Sequence, residues 1–156
     1  MKDDKLSFHV ILNNIRSLYN VGSIFRTADA AGCEKLWICG ITGHPPNAQI
    51  SKTALGAQET VTWEYREDII SLVKELKKNG FQIVLLEQIK ESKSYSQFIP
   101  RAPVCLIVGN EITGVLQELL SLCKEAVEIE MCGLKNSLNV SVAFGIIAYH
   151  IRQKLR

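Results

Sequence analysis

Three short segments gather side chains able to hold a phosphate, orient a hydroxyl or line a ligand pocket. The first is Asn20-Val21-Gly22-Ser23-Ile24-Phe25-Arg26-Thr27-Ala28. An asparagine suited to capping a helix, followed six residues later by an arginine, fits a phosphate-bearing ligand at a helix N-terminus. The plain alternative is a capped helix whose Arg26 pairs with Asp29 at i+3, worth about 0.3 kcal/mol. The second is Gly109-Asn110-Glu111-Ile112-Thr113-Gly114, directly after an apolar run. Two glycines let the backbone approach a ligand and leave main-chain donors free. The Lys-Ser/Thr ending of a Walker loop is missing, as is the dinucleotide GxGxxG spacing. The alternative is a strand-to-helix turn in which Glu111 favours the next helix's N-terminus. The third is Asn136-Ser137-Leu138-Asn139-Val140-Ser141-Val142-Ala143, polar residues packed at the start of an apolar helix. Ser137 as N-cap accounts for one of them but not for Asn139 and Ser141, both only moderate helix formers.

The elements that must position these segments alternate between strand-like and helical patterns. Phe8 to Leu12 reads as a first strand, broken by Asn13-Asn14. A helix starts near Asn20 and runs through Ala30-Ala31 to a stop at Gly32. Leu36 to Cys39 is a second strand, followed by a long loop from Gly40 to about Gln58. Thr60 to Trp63 is a short strand, and Asp68 to Lys78 an amphipathic helix with Ile69, Leu72, Val73 and Leu76 on one stripe. Phe81 to Leu86 and Val104 to Val108 are nearly all apolar, as strands buried on both faces are. Val115 to Leu122, Val127 to Ile129, and about Leu138 to Leu155 complete the order as helix, strand and helix. The expectation is an α/β fold, a mostly parallel sheet with helices on both faces, over residues 1–156 as one domain. In such sheets ligands bind beyond the carboxyl ends of the strands. The loops after Leu12, Leu86, Val108 and Ile129 are therefore the places to look.

The totals narrow the field. A length of 156 residues, 47% hydrophobic and 22% charged, suits an ordinary globular domain. No apolar run approaches the roughly 20 residues of a membrane span, and Met1-Lys2-Asp3-Asp4-Lys5 leads into no signal-peptide core. A cytoplasmic location is expected. The five cysteines form no CxxC pair and mostly sit in apolar stretches, which predicts buried thiols. The three histidines show no metal-ligand spacing, so no metal is expected. At a net charge of +2 a polyanionic partner requires local basic groups: Arg16 with Arg26, or Arg152-Gln153-Lys154-Leu155-Arg156. That tail is equally a solvated last helical turn.

Taken together, N-x5-R-T-A, G-N-E-x2-G and S-L-N-V-S-x-A, in that order, resemble the three motifs of the SpoU/TrmH group of SPOUT methyltransferases. The resemblance covers roughly Phe8 to Arg152. It implies an S-adenosylmethionine-dependent 2′-O-ribose methyltransferase acting on tRNA or rRNA and releasing S-adenosylhomocysteine. It also implies an α/β knot, a deep C-terminal trefoil whose loops hold the cofactor at Leu86, Gly109, Ile129, Ser137 and Leu138. The catalytic positions carried over by motif are Asn20, Arg26, Glu111, Ser137 and Asn139. The family is dimeric, the first and last helices packing across a two-fold interface. Val21, Phe25, Phe144, Ile147 and Ile151 would supply that seam, unless the core of a single chain consumes them.

Two positions depart from the common pattern: Ile112 stands where many relatives carry glycine, and Glu130 where many carry proline. Many relatives also carry an RNA-binding extension, for which this sequence has little room. Substrate recognition then falls to the dimer's own surface, to the Gly40–Gln58 loop with Lys52, or to a helper protein. Competing readings are a catalytically silent RNA- or cofactor-binding module on the same fold, and a flavodoxin-like nucleotide binder. The latter predicts a glycine-bearing phosphate loop after Leu12, and none occurs before Gly22.

Overall fold

The first strand, β1 (Phe8–Asn13), is buried along its whole length, as its unbroken apolar run dictates for a central strand. The structure is a computed structural model and describes residues 7–109 and 116–155. After β1 the chain forms α1 (Leu18–Ala30), β2 (Lys35–Cys39), two short helices α2 (Ala48–Ala54) and α3 (Ala57–Thr60), β3 (Thr62–Arg66) and α4 (Ile69–Lys78). There follow β4 (Gln82–Leu86), β5 (Lys93–Ser94), a single 3₁₀ turn, β6 (Val104–Gly109), α5 (Leu116–Cys123), β7 (Ala126–Glu128) and α6 (Val140–Leu155). The seven strands form one sheet in the order β3-β2-β1-β6-β4-β7-β5. Every pairing is parallel.

Period-two alternation sends Val10 and Leu12 to one face and Ile11 to the other. The first face packs Leu36, Leu106 and Val108 against α1, α2 and α6. The second packs Ile107, Leu85 and Trp37 against α4 and α5. Helices therefore cover both faces, as the alternating sequence pattern implied. Each large side chain buried this way contributes about 1.5–3 kcal/mol.

Several sequence expectations need correction. The loop after β2 is not structureless: Asn47 accepts from the amides of Gln49 and Ile50 and caps α2, which then packs closely on α1. The strand placed at Thr60 to Trp63 lies at Thr62–Arg66 instead, because Thr60 closes α3. The polar stretch after Leu86 contributes a two-residue edge strand. Val21, Phe25, Phe144, Ile147 and Ile151 are all 0% exposed, consumed by the core of the single chain and unable to form an interchain seam.

Two close approaches fix the helices beside the sheet. A Cβ at Gly22 would lie 2.3 Å from the Ile50 carbonyl and 2.0 Å from Thr53 Oγ1, so only glycine lets α1 and α2 meet this closely. Helices α1 and α6 lie side by side and parallel. Asn139 meets Asn20 at their N-terminal ends, Gly145 faces Thr27 midway, and Arg152 meets Ala31 and Gly32 at their C-terminal ends.

Candidate active site

Parallel strands end together, and here their ends enclose a cavity at the carboxyl edge of β4, β6 and β7. It holds about 590 Å³ of atom-free space, part of it open to solvent. Leu86, Glu87 and Gln88 wall it after β4, Gly109 at the end of β6, and Glu128, Ile129 and Met131 at β7. Ser137, Leu138, Val140 and Ala143 close it from the segment entering α6. All five residues expected to hold a cofactor, Leu86, Gly109, Ile129, Ser137 and Leu138, meet in this one space.

Gly109 is required by packing. In the parallel register it faces Asn13, and a Cβ there would sit 2.1 Å from the Asn13 carbonyl oxygen. The close approach that selects glycine is thus strand to strand. Asn110, Glu111, Ile112, Thr113 and Gly114, the rest of the second motif, lie outside the described residues.

The caps differ from expectation at both helices. Ser17 caps α1 by accepting from the Asn20 amide at 3.2 Å, which frees the Asn20 side chain. Asn139, not Ser137, caps α6: its Oδ1 accepts from the Ser141 amide at 2.8 Å and from the Ser141 hydroxyl at 2.6 Å. Capping therefore explains Asn139 and Ser141, and leaves Ser137 exposed on the cavity wall. The Asn139 Nδ2 then donates to Asn20 Oδ1 at 3.3 Å. Leu138 and Val140 flank Asn139 and line the cavity, so the asparagine pair adjoins it. Two parallel helices present their N-terminal ends there, each a partial positive charge of about half a unit.

Arg26 stands apart from this pair. Six residues place it about 9 Å further along α1 than Asn20 and roughly 120° around its axis. It is exposed and has no hydrogen bond or ion pair among the described residues. Asp29, its alternative partner, accepts instead from the Thr60 hydroxyl at 3.0 Å. Arg152, offered as part of a basic patch, donates from Nε to the Ala31 carbonyl and from a terminal nitrogen to that of Gly32, both at 2.8 Å. It closes the C-terminus of α1, where a cation is favoured.

The cavity also holds groups that the sequence reading missed: Glu87, Gln88, Glu128 and Met131. Their signal was positional, since each falls at or just beyond the carboxyl end of a buried strand. Nearby, the Ser94 hydroxyl holds the Glu130 carboxyl below its usual range. Four of the cysteines are buried free thiols, and burial pushes Cys33, Cys39 and Cys123 up to about 12. None is a ready nucleophile. Cys132 alone is exposed.

Residues 7–149 match the SpoU rRNA Methylase family. The chain belongs to that family. The chain is similar to the tRNA (guanosine(18)-2'-O)-methyltransferase of Aquifex aeolicus, 33% identical over 145 residues, covering 93% of this chain and 68% of that one. The crystal structure of the A. aeolicus TrmH/SpoU tRNA modifying enzyme superposes with a TM-score of 0.86 at 31% identity, over 96% of this chain and 76% of that one. The AdoMet-bound rRNA methyltransferase from Sinorhizobium meliloti gives a TM-score of 0.88 at 27% identity. There the match covers 97% of this chain but 58% of the other, so this chain spans little more than half of that protein's length.

Proposed function

We infer that this protein, an RNA 2′-O-methyltransferase by family membership, binds S-adenosylmethionine in the cavity beyond β4, β6 and β7. The observation that carries this is the continuity of two features. Leu138 and Val140 wall the cavity, while Asn139 between them caps α6 and grips Asn20 at the N-terminus of α1. A methyl donor and the phosphate-flanked ribose receiving the methyl need such neighbouring sites.

The lining fits this cofactor. Leu86, Ile129, Leu138 and Val140 offer apolar walls to an adenine, and Ser137 a hydroxyl. S-adenosylmethionine supplies an electrophilic methyl on a positively charged sulfur. The chain's own task is to present a ribose O2′ in line with it and to manage the proton. Asn20 and Asn139, with the two helix N-termini, position a phosphate of the target nucleotide. Arg26 pins an adjacent phosphate and stabilises the developing alkoxide. A guanidinium with a pKa above about 12 stays protonated, so a phosphate oxygen or water takes the proton. Ser137 shapes the cofactor loop, and Glu111 orients Arg26.

We further propose that two copies pair through α1 and α6. With their aliphatic residues spent in the core, the apolar groups left outside are Tyr19 on α1 and Val142 and Tyr149, one i+7 stripe, on α6. The displacement of Arg26 from Asn20 suits a site completed by the partner copy. The C-terminal segment also forms the family's trefoil knot: after β7, near one sheet edge, the chain returns to lay α6 on α1. The substrate is tRNA or rRNA, reached in the cytoplasm, with a helper protein where the dimer surface does not suffice.

The test is donor binding by calorimetry beside transfer of labelled methyl to tRNA and rRNA. Binding with transfer to one RNA supports the reading. Binding without transfer to either, under dimeric conditions, favours the silent cofactor-binding alternative.

A further inference from the structure

The charged residues lining the cavity, among the described residues, are Glu87 and Glu128; Lys90 lines the more open hollow that adjoins it and shares Gln88, Glu128, Ile129 and Met131. We propose that Glu87 and Glu128 make this a cation-selective donor pocket, which holds S-adenosylmethionine more tightly than the neutral-sulfur product.

The inference rests on the reading of the cavity as the donor site and deepens it. Glu87 is held firmly. Its amide donates to the Val127 carbonyl at 3.0 Å, and its own carbonyl accepts from the Ser92 hydroxyl. Its Oε1 accepts from the Gln88 amide at 3.2 Å, which turns the carboxylate back toward the strand end. The other Glu87 oxygen and both Glu128 oxygens meet no donor among the described residues. Glu128 sits at the end of β7, in register with Ser94 of β5, so its backbone is fixed by the sheet. One carboxylate held by the Gln88 amide and another on a backbone fixed in the sheet, both with open acceptor sites beside apolar walls, suit a ligand bearing hydroxyls and a positive charge.

The donor and product differ by one methyl and one unit of charge. Methyl transfer neutralises the sulfur, so the carboxylates' attraction for it is lost in the same event. At about 7 Å and an effective dielectric near 40, one carboxylate favours the charged ligand roughly sevenfold. Product release is thereby eased without any change of shape. Neither glutamate need touch the reacting atoms. Both act as specificity determinants through the field they set up.

Calorimetric titration of the full chain with S-adenosylmethionine and with S-adenosylhomocysteine tests this. Wild type is compared with Glu87→Gln, Glu128→Gln and the double variant, at low and high salt. The amide keeps the shape of the carboxylate, and a thermal melt confirms that each variant folds. The expected result is a donor-to-product affinity ratio above one in wild type, falling roughly three- to tenfold in each single variant, further in the double variant, and falling with salt. Affinity for the product itself should change little in at least one single variant. A ratio unchanged in the double variant, with both ligands still bound, overturns this inference alone. Failure of wild type to bind either ligand overturns the donor-site reading beneath it.

Discussion

The Asn139 Nδ2 donates to the Asn20 Oδ1 at 3.3 Å, joining residues 119 positions apart in sequence. The same Asn139 side chain caps α6 through the Ser141 amide, so one asparagine spends both ends of its amide. The contact ties the first motif to the third and sets two helix N-termini side by side. It exists because Ser17, three residues earlier, takes over the capping of α1.

Asn139→Ala loses both the cap and the bridge, whereas Asn20→Ala loses only the bridge. The former should cost about 1 kcal/mol of stability, the latter under about 0.5 kcal/mol. Both should lower methyl transfer at least tenfold, since misplacement near the reacting groups is costly. Thermal melts and single-turnover rates on the two variants check this. Equal stability loss with undiminished transfer would reduce the pair to a structural contact.

Arg152→Ala should behave in the opposite way. Its guanidinium closes the α1 C-terminus on the Ala31 and Gly32 carbonyls, so removal should cost about 1–2 kcal/mol. RNA affinity measured below the melting temperature should barely change. A large loss of RNA affinity with intact stability would restore the arginine to the binding surface.

Gly22→Ala should be destabilising by about 1–3 kcal/mol, because the methyl meets the backbone of α2. Denaturant unfolding measures it. A neutral result would mean that α2 shifts freely on α1.

Thiol titration gives a pH prediction. Burial raises Cys33, Cys39 and Cys123 from 9.0 to about 12 in the folded chain. Their contribution is complete below about pH 9 and is lost as pH rises toward 12, because the unfolded chain releases these protons first. The stability of wild type relative to Cys123→Ala should therefore shrink between pH 8.5 and 11, as followed by urea unfolding. In the native state a thiol reagent should modify Cys132 alone at speed.

Much of this arrangement was legible beforehand, and the exceptions share a cause. The apolar runs at Val10, Val84 and Leu106 announce strands buried on both faces, since no other element wants an unbroken run that short. The five cavity residues were reached through motif resemblance, and the fold brings them together at one sheet edge. The caps were misplaced because Ser17 and Asn20, like Ser137 and Asn139, are chemically equivalent candidates a few residues apart. Only tertiary contact decides which one is free. The choice between seam and core stays open in the sequence because periodicity shows that Phe25 and Ile147 face something apolar, without saying whether it is the chain's own sheet. Helix α2 was hidden by the glycines and prolines around it. Glu87 and Glu128 look like ordinary polar strand ends until the topology turns them to one space.

The central claim is methylation of a ribose hydroxyl by way of Arg26. The most direct measurement is transfer from labelled S-adenosylmethionine to total tRNA and to rRNA, with wild type beside Arg26→Ala and Arg26→Lys, followed by nuclease and alkali digestion. The account predicts label in an alkali-resistant 2′-O-methyl dinucleotide from one RNA class, lost in Arg26→Ala and strongly reduced in Arg26→Lys. Label found in the base, or full activity in Arg26→Ala, would contradict it.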